Sequence, residues 1–363
     1  MKALKYLLFF TLLGLGGTAS AQDIHFSMFD MAPLNLNAGY TGLYSGTFRI
    51  GGIYRSQWQG LGMNAPTLGT NFTGFKTPSA YVDVPFGIRS PKNFGDLKHW
   101  AGIGINFFND QVDRLSTMRA ELSFAYHIGL GQRGNTRISL GVKGGITQQR
   151  IKDVAGYVFE DELERCPNYP NCSGIGSLDD ANIATDAATA PDFSAGLVFT
   201  HKGTGWGLQL GGSVNHFTQP KVNFLNDEYK FPMNIIGTAR LDFSLGKKLT
   251  LRPMFFMQYM AKAIDMNAQG VFAIHFNNTK DANLLLGGGY RIGDAAFGRV
   301  GFEFKGLIFG AAYDINVSSL SFGKNSGYNG TNPRGMGFEL GLSYIAKIYK
   351  DLKVDDILYN PRF

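Results

Sequence analysis

The chain has 363 residues, of which 44% are hydrophobic, 13% aromatic and 17% charged, and its formal net charge is +6. So small a positive charge gives no argument for binding nucleic acid. No Pro/Ser-rich linker or charge run divides the chain, so its length favours one large domain over two soluble ones.

The N-terminus has the pattern of a secretory signal peptide. Lys2 and Lys5 flank the start of an apolar core over residues 7–15, and small residues follow at Ala19 and Ala21. The apolar core is too short to span a bilayer as an anchor. We therefore expect residues 1–21 to be a signal peptide and the mature chain to begin at Gln22.

Strict alternation of apolar and polar or small residues marks the C-terminal part of the chain. Apolar side chains occupy every second position over residues 336–344: Met336, Phe338, Leu340, Leu342 and Tyr344. The same period of two recurs in segments of about ten residues, as expected for strands that face lipid on one side and a lumen on the other. The sequence thus predicts an all-β fold, a transmembrane antiparallel β-barrel in the outer membrane of a Gram-negative bacterium.

The alternating segments add up to about fourteen strands. We predict them at residues 47–55, 79–87, 98–109, 115–128, 135–149, 192–202, 205–216, 233–246, 248–261, 264–276, 282–291, 295–305, 307–317 and 334–346. An even number places both termini in the periplasm and the long loops outside, after odd strands. The predicted domains are a periplasmic N-terminal segment at 22–46, the barrel at 47–346 and a periplasmic tail at 347–363.

The two faces of these strands differ in polarity. The predicted outward rows include Trp206, Leu208, Leu210 and Val214, then Val300, Phe302 and Phe304, and Leu307, Phe309, Ala311, Tyr313 and Ile315. The predicted lumen rows include Arg119, Glu121 and Ser123, Arg137, Ser139 and Lys143, Arg240, Asp242 and Ser244, Arg299, Glu303 and Lys305, and Asp314 and Asn316. We interpret the mixed lumen charges as mutual ion pairs, with ligand contacts as the alternative.

The only two cysteines, Cys166 and Cys172, lie in the long segment between the fifth and sixth predicted strands. A chain that crosses an oxidising periplasm favours a disulfide between them. A two-cysteine metal site and two free thiols are the alternatives.

Several motifs suggest chemistry without supporting it. Residues 129–134 match a dinucleotide-binding fingerprint, but they connect two alternating strands and open no helix, so we predict a hairpin turn. The six histidines, His25, His99, His127, His201, His216 and His275, show no paired metal-ligand spacing. No nucleophile elbow or similar signature accompanies them. We expect no enzyme activity, no metal and no cofactor.

Both ends of the chain contain short motifs that a plain barrel does not require. They are Gln22-Asp23, His25-Phe26-Ser27 with Phe29, Ala32-Pro33-Leu34, Leu36-Asn37-Ala38, Thr41-Gly42, Tyr54-Arg55-Ser56-Gln57-Trp58 and Pro361-Arg362-Phe363. In combination they resemble the PorP/SprF proteins, outer-membrane components of type IX secretion and gliding systems in Bacteroidetes. From the sequence, the two ends are expected to plug the lumen, line it from below or contact periplasmic partners.

The resemblance implies a role in protein export. Proteins similar to this one receive or anchor a secreted adhesin or enzyme through its C-terminal sorting domain, or associate with the secretion machinery. If this chain does likewise, the loop with the two cysteines is a docking candidate, with Tyr157, Phe159 and Tyr169 as aromatic anchors. The implied partners are a sorting domain, the export machinery and outer-membrane lipid.

Two further groups are candidates for partner binding. Tyr54, Arg55 and Trp58 lie near the outer end of the first strand, where the alternative is an interfacial belt of Tyr54 and Trp58 with Arg55 bound to loop carbonyls. Pro361, Arg362 and Phe363 either dock the tail against the barrel or recruit another component. For the whole protein, a porin or hydrophobic-ligand channel is the alternative function, and a purely structural envelope protein is a third.

Overall fold

The computed structural model describes residues 25–57, 74–86, 99–112, 115–130, 135–151, 187–222, 229–277, 280–317 and 336–348. These residues form a closed antiparallel barrel of fourteen strands, which confirms the predicted fold class and strand number. No helix among the described residues is long and apolar enough to cross a membrane.

Fourteen barrel strands and one small hairpin make up the β-structure. The strands are β1 (Phe48–Gln57), β2 (Phe75–Phe86), β3 (His99–Val112), β4 (Leu115–Leu130), β5 (Thr136–Ile151), β6 (Ala187–Gly203), β7 (Trp206–Asn215), β8 (Lys221–Val222), β9 (Tyr229–Lys230), β10 (Asn234–Ser244), β11 (Leu249–Met260), β12 (Ala263–His275), β13 (Ala282–Arg291), β14 (Ala295–Phe304), β15 (Leu307–Asn316) and β16 (Met336–Ala346). The two-residue strands β8 and β9 pair only with each other, in the loop between β7 and β10. This small hairpin was not predicted.

Each barrel strand pairs with its neighbours along the chain, and β1 closes the barrel by pairing with β16. The largest difference from the predicted strands is at β6, which begins at Ala187 and contains Pro191. Proline interrupts a strand that has neighbours on both sides, because it lacks the N–H group. Here β7 pairs with β6 only from Ala195 onward, so Pro191 has β5 alone as its neighbour.

Connection length distinguishes the two ends of the barrel. At one end, which we name the long-loop end, lie the connections 58–74, 152–186, 216–233 and 317–335. At the other, the short-turn end, the connections include the tight turns 204–205, 245–248 and 305–306. The four long connections follow odd strands of the barrel, as predicted from the sequence.

Aromatic side chains form two rings on the outward face. The ring near the long-loop end contains Tyr54, Phe193, Tyr259, Tyr290, Tyr313 and Phe338. The ring near the short-turn end contains Phe48, Phe86, Tyr126, Trp206, Phe243, Phe304 and Tyr344. Aromatic girdles at both edges of an apolar band are typical of membrane barrels. The predicted outward rows lie on this face.

The N-terminal residues run through the interior of the barrel. Residues 25–46, here named the inner segment, contain three single helical turns, Phe29–Met31, Pro33–Leu36 and Ala38–Tyr40. The carbonyl of His25 accepts a hydrogen bond from Arg55 near the long-loop end of β1. Near the other end, the Tyr44 hydroxyl donates to the carbonyl of Asp83, close to the end of β2. The inner segment therefore crosses the lumen from one opening to the other.

The inner segment plugs the lumen, which is one of the three arrangements expected from the sequence. Its apolar side chains are buried among lumen-facing residues, which removes them from water. His25 is 19% exposed and lies near the long-loop end, whereas Ile348 lies at the short-turn end, where its N–H donates to Thr47. The described parts of the two ends thus reach opposite openings. The position of residues 22 and 363 themselves stays a prediction.

Candidate functional site: the occupied lumen

Two carboxylates hold the start of the inner segment. Glu339, fully buried on β16, accepts the N–H of Ser27 at 2.6 Å and that of Met28 at 2.7 Å, one on each oxygen. Arg55 of β1 donates to the same carboxylate at 3.1 Å. Because β1 and β16 are adjacent at the closure of the barrel, Arg55 and Glu339 face each other across that seam.

The second carboxylate is Asp314 of β15. The Ser27 hydroxyl donates to it at 2.8 Å and accepts a hydrogen bond from Arg291 at 2.6 Å. Arg291 also forms an ion pair with Asp314 at 2.8 Å. We name Arg55, Arg291, Asp314 and Glu339 the charged clamp. Charge-assisted hydrogen bonds of this kind are stronger than neutral ones, so the clamp fixes the segment firmly at this point.

A further ion pair lies one helical turn along the segment. Asp30 accepts two hydrogen bonds from Arg299 of β14, at 2.6 and 2.9 Å, in the bidentate arrangement that matches a guanidinium to a carboxylate. Arg299 also donates to Gln269 of β12. Arg299 was correctly placed in the lumen from the sequence, but its partner belongs to the inner segment rather than to the wall.

Apolar packing fills the space between these charged contacts. Phe29 stacks on Phe256 of β11 with ring centroids 5.4 Å apart. The cluster around them contains Met28, Met31, Leu34, Leu36 and Leu43 of the segment and Ile236, Met254, Val271, Leu285 and Ile308 of the wall. We expected a polar lumen, and this apolar wall was missed. The available signal was β11, which has apolar residues at consecutive positions 254–257 and so on both faces.

The second half of the segment is held by neutral hydrogen bonds. The Asn37 side chain donates to the carbonyl groups of Leu197 and Gly212, both at 3.0 Å, and accepts the N–H of Gly39 at 2.7 Å. Ser213 donates to the carbonyl of Leu36 at 2.6 Å. One side chain therefore joins β6, β7 and the turn that follows it in the segment.

Close backbone approach positions the same half. A Cβ atom at Gly141 of β5 would lie 2.3 Å from the carbonyl carbon of Ala38, and one at Gly196 of β6 would lie 2.0 Å from the Asn37 side-chain oxygen. Neither distance is possible for a real Cβ, so only glycine lets the segment approach the wall here. Glycines at lumen-facing positions therefore indicate, already in the sequence, that the lumen is occupied.

The end of the segment is anchored near the short-turn end. Asp83 of β2 accepts the Gly42 N–H at 2.7 Å and two hydrogen bonds from Arg49. His127 of β4 lies 2.8 Å from the carbonyl of Thr41 and 2.7 Å from the Ser139 hydroxyl. Both anchoring groups are deeply buried.

Little empty space remains beside the segment. Two cavities next to Asp30 each have a volume of about 10 Å³, and the wall side chains around them are buried. Such a volume holds about one water molecule. Where it is described, the lumen is a packed interior and not a water-filled channel.

The lumen charges form ion pairs, as we interpreted them. Lys143 pairs with Glu121 at 3.0 Å, and Arg240 pairs with Asp242 at 2.9 Å. Lys143 also donates to the carbonyl of Leu34. The wall charges therefore stabilise both the wall and the segment.

The histidines do not gather into a metal site. His127, His216 and His275 face the lumen, where their partners include Ser139, Asp192 and Thr250. His99 and His201 lie beside Tyr126 and Trp206. Among the described residues, no three His, Cys, Asp or Glu side chains are placed to hold a metal ion. Gly129 and Leu130 of the fingerprint are the last residues of β4, which pairs with β5, and its residues 131–134 lie outside the described ones.

Most predicted partner-binding residues cannot be placed. Trp58, Tyr157, Phe159, Tyr169, Pro361, Arg362 and Phe363 lie outside the described residues, as do Cys166 and Cys172. Tyr54 is on the outward face, 6.0 Å from the ring of Phe338. Arg55 is buried in the charged clamp, where it binds Glu339 and the carbonyl of His25 and not a loop carbonyl, and its role in partner binding stays a prediction. The period of two explains this, since Arg49, Ile53 and Arg55 share one face of β1.

Comparison with solved structures finds other barrels at low similarity. They include the toluene transporter TodX of Pseudomonas putida (11% identity, TM-score 0.46, covering 87% of this chain and 93% of that one). A FadL homologue of Pseudomonas aeruginosa has 12% identity, TM-score 0.41 and coverage of 85% and 92%. The translocator domain of the autotransporter NalP of Neisseria meningitidis has 10% identity, TM-score 0.35 and coverage of 88% and 96%. Similarity this low carries no argument about function.

Comparison with protein families gives a direct match. No curated protein matches the chain. The family model described as type IX secretion system membrane protein PorP/SprF matches residues 18–329, which include the inner segment and strands β1 to β15. Because the match covers most of the chain, this protein belongs to the PorP/SprF family of type IX secretion system membrane proteins.

Proposed function

We propose that the protein is a non-enzymatic outer-membrane barrel that receives or anchors a type IX-secreted partner, an adhesin or enzyme with a C-terminal sorting domain, at the cell surface. Coupling of the export machine to the outer membrane is the other form of the same role. Family membership supports association with the secretion system. The closed barrel with two aromatic rings supports the membrane location.

The observation that carries this proposal is the occupied lumen. A porin or a hydrophobic-ligand channel needs a continuous route through the barrel. Here the inner segment fills the route and is fixed by the charged clamp at one opening and by Asp83 at the other. A barrel closed by its own chain serves better as a platform for another protein than as a pore.

The proposed docking face is the long-loop end. Short turns of membrane barrels face the periplasm and long loops face outward, so the long-loop end is the one that a secreted protein meets. β5 and β6 extend beyond β7 there and carry the connection 152–186 at their tips. Tyr157, Phe159 and Tyr169 of that connection are the proposed aromatic anchors, and the disulfide between Cys166 and Cys172 is proposed to constrain it.

The first experiment is purification of the tagged protein from its native outer membrane in mild detergent, followed by mass spectrometry of the proteins that accompany it. We expect a protein with a sorting domain, or type IX components, in stoichiometric amount. The same preparation is then placed in a planar bilayer, where the closed lumen should pass no steady current. A solitary barrel with stable conductance would contradict the proposal and favour the porin alternative.

Loop variants locate the docking face. Replacing Tyr157, Phe159 and Tyr169 with Ser should leave insertion unchanged and reduce the recovered partner at least tenfold, because aromatic anchors dominate most interfaces. The matched control replaces Tyr259, Tyr290 and Tyr313 of the outward ring with Ser, which should leave partner recovery unchanged. Equal loss in both variants would show a general membrane defect instead of a docking site.

The tail is tested in the same assay. Deleting residues 349–363, which include Pro361, Arg362 and Phe363, should leave a barrel that inserts but loses machinery components. Loss of insertion would make the tail a folding element and would contradict a recruiting role.

Replacing both cysteines with Ser should hardly affect insertion, and a strong assembly defect would contradict an external loop.

A further inference from the structure

Three neighbouring connections at the short-turn end form one continuous edge. Two are the turns 276–281 and 305–306, and the third is the stretch that follows β16. The N–H of Lys305 donates to the carbonyl of Asp281 at 2.8 Å, and the N–H of Ile345 donates to the carbonyl of Gly306 at 2.9 Å. These backbone hydrogen bonds join the three connections. We name their described residues the basic rim: 276, 277, 280, 281, 305, 306, 347 and 348.

The basic rim carries the two most exposed large apolar side chains of the described part of the chain. Phe276 is 70% exposed and Ile348 68%, whereas no other such side chain there exceeds 56%. The strand pairs from β12 to β16 place Phe276 on one outward row with Phe304 and Tyr344 of the aromatic ring near the short-turn end. Lipid headgroups meet acyl chains at the level of such a ring. The apolar part of the rim therefore lies at the membrane edge.

Two exposed lysines, Lys305 and Lys347, lie next to these apolar side chains. The Nζ atom of Lys305 is 5.2 Å from the ring centroid of Phe304, within the range of a cation–π contact. Because Phe304 is on the outward face, this contact directs the ammonium group toward the surrounding lipid and away from the lumen. Within the ranges that the structure describes, neither lysine pairs with a carboxylate.

The net charge of the rim comes from these two lysines. Lys280 and Asp281 are also part of the rim, and their formal charges cancel. The carboxylate of Asp281 accepts a hydrogen bond from Asn277. Each cation near a lipid surface attracts anionic headgroups. Phosphate suits this position because its several oxygens accept charge-assisted hydrogen bonds from ammonium groups.

We propose that the basic rim binds a phosphate-bearing lipid of net negative charge in the leaflet that surrounds the short-turn end. Its acyl chain packs along Phe276 and Phe304, and its phosphate contacts Lys305 and Lys347. Exposed apolar side chains would contribute nothing to the binding of a soluble anion, so their place beside the lysines favours a lipid. This inference does not depend on the proposed docking role, which concerns the opposite end of the barrel.

The test counts lipids bound to the complete, detergent-solubilised protein by native mass spectrometry. The probes are phosphatidylglycerol and phosphatidylcholine with identical acyl chains, which differ in net headgroup charge. We expect the wild type to retain phosphatidylglycerol preferentially. Removing both charges in K305Q/K347Q should weaken that binding about 30-fold, and K305Q or K347Q alone should weaken it about fivefold.

A matched charge variant tests whether the effect is local. K230Q/K262Q removes two exposed lysines from the long-loop end and should leave the preference unchanged. Lys262 matches Lys305 because both lie in two-residue turns with positive φ, 70° and 47°. Unaltered heat-modified electrophoretic mobility shows that each variant is folded.

A second pair of variants tests the apolar part of the site. F276S keeps both lysines and should reduce binding of both lipids, because it removes the surface on which the acyl chain packs. L245S alters a 52% exposed position in another turn of the same end and should leave both lipids bound.

Three outcomes would overturn the proposal. The first is an anionic preference that persists in K305Q/K347Q or falls equally in K230Q/K262Q, since the rim would then not be the site. The second is complete displacement of the lipid by millimolar inorganic phosphate, with no effect of F276S, which would reveal a soluble-anion site. The third is loss of a co-purifying protein from K305Q/K347Q with lipid binding unchanged, which would reveal a protein-docking surface.

Discussion

The two halves of the inner segment are held in the lumen by different kinds of contact. Residues 25–31 meet the charged clamp, whose four residues belong to β1, β13, β15 and β16. They also meet Arg299 of β14. Residues 37–42 meet mainly carbonyl groups, hydroxyls and glycine positions of the wall. The charged exceptions are Asp83, which accepts the Gly42 N–H, and Arg49, which donates to the carbonyl of Tyr40. The first half depends on charge, and the second depends mainly on shape.

This difference shows which half of the inner segment is more easily destabilised by a single substitution. A buried charge that loses its partner is strongly destabilising, so a single substitution in the clamp affects the whole network. Close packing distributes its contribution over many small contacts, and each substitution there removes only part of it. The half near the long-loop end is therefore the more sensitive to change, and it is also the half nearest the proposed docking face.

The largest effect is expected from Glu339→Ala. The substitution leaves the N–H groups of Ser27 and Met28 and one charge of Arg55 without this acceptor. We expect a loss of about 3–5 kcal/mol in the free energy of holding the first half in place. Steady ion conductance in planar bilayers should appear in the variant. Glu303→Gln is the control, because Glu303 is buried on the lumen side but accepts from Asn283 of the wall. A Glu339 variant that passes no current would show that the clamp does not keep the lumen closed.

A smaller effect is expected from Gly141→Ala, which tests the half held by shape. The new methyl group collides with the backbone at Ala38, at a cost of about 1–3 kcal/mol. The temperature at which the barrel loses its folded electrophoretic mobility should fall. Gly212→Ala has nothing within 4 Å of the added carbon and should change this temperature little. If both variants behaved alike, close approach would not matter here.

Asn37→Ala tests the same half through its hydrogen bonds. Two carbonyl groups, those of Leu197 and Gly212, lose their donor. Neutral hydrogen bonds contribute about 0.5–1.5 kcal/mol each, so we expect a loss of about 1–3 kcal/mol and less conductance than in the Glu339 variant. Comparing the conductance of the Asn37 and Glu339 variants in the same bilayer shows whether charged contacts or close packing contribute more to keeping the lumen closed. Greater conductance from Asn37→Ala would reverse the assignment of the sensitive half.

The smallest effect on stability is expected from His25→Cys in a background that lacks Cys166 and Cys172. His25 is partly exposed near the long-loop end, and its loss should cost under about 1 kcal/mol. On intact cells a membrane-impermeant maleimide should label this cysteine, because the long-loop end faces outward. A cysteine at Ile348, at the opposite end, should be protected. The reverse pattern would invert the orientation of the barrel.

The barrel itself could be predicted from local patterns. Alternation identifies each strand, and the sorting of long and short connections identifies the two ends without any contact information. The predicted start of β6 was wrong because proline is usually excluded from the interior of a sheet. Pro191 is tolerated because β6 has only one neighbouring strand there.

The contents of the lumen could not be predicted in the same way. The partners of Ser27 are Asp314 and Glu339, which are 287 and 312 residues away along the chain, and nothing in a period of two relates them to Ser27. The face of β1 that carries Arg55 indicates the lumen, but a period of two does not identify Glu339 and the carbonyl of His25 as its partners. Glycines such as Gly141 and apolar lumen positions such as Met254 carried usable information about an occupied interior.

The seam at which β1 meets β16 is joined in two ways, by the backbone ladder and by contacts in the lumen. The last strand of the barrel supplies Glu339, the first supplies Arg55, and the two are paired residues of that seam. The inner segment directly precedes β1, and the N–H groups of Ser27 and Met28 bind Glu339. The residues before the first strand are thereby attached to the last strand, so the inner segment ties together the two edges at which the sheet closes.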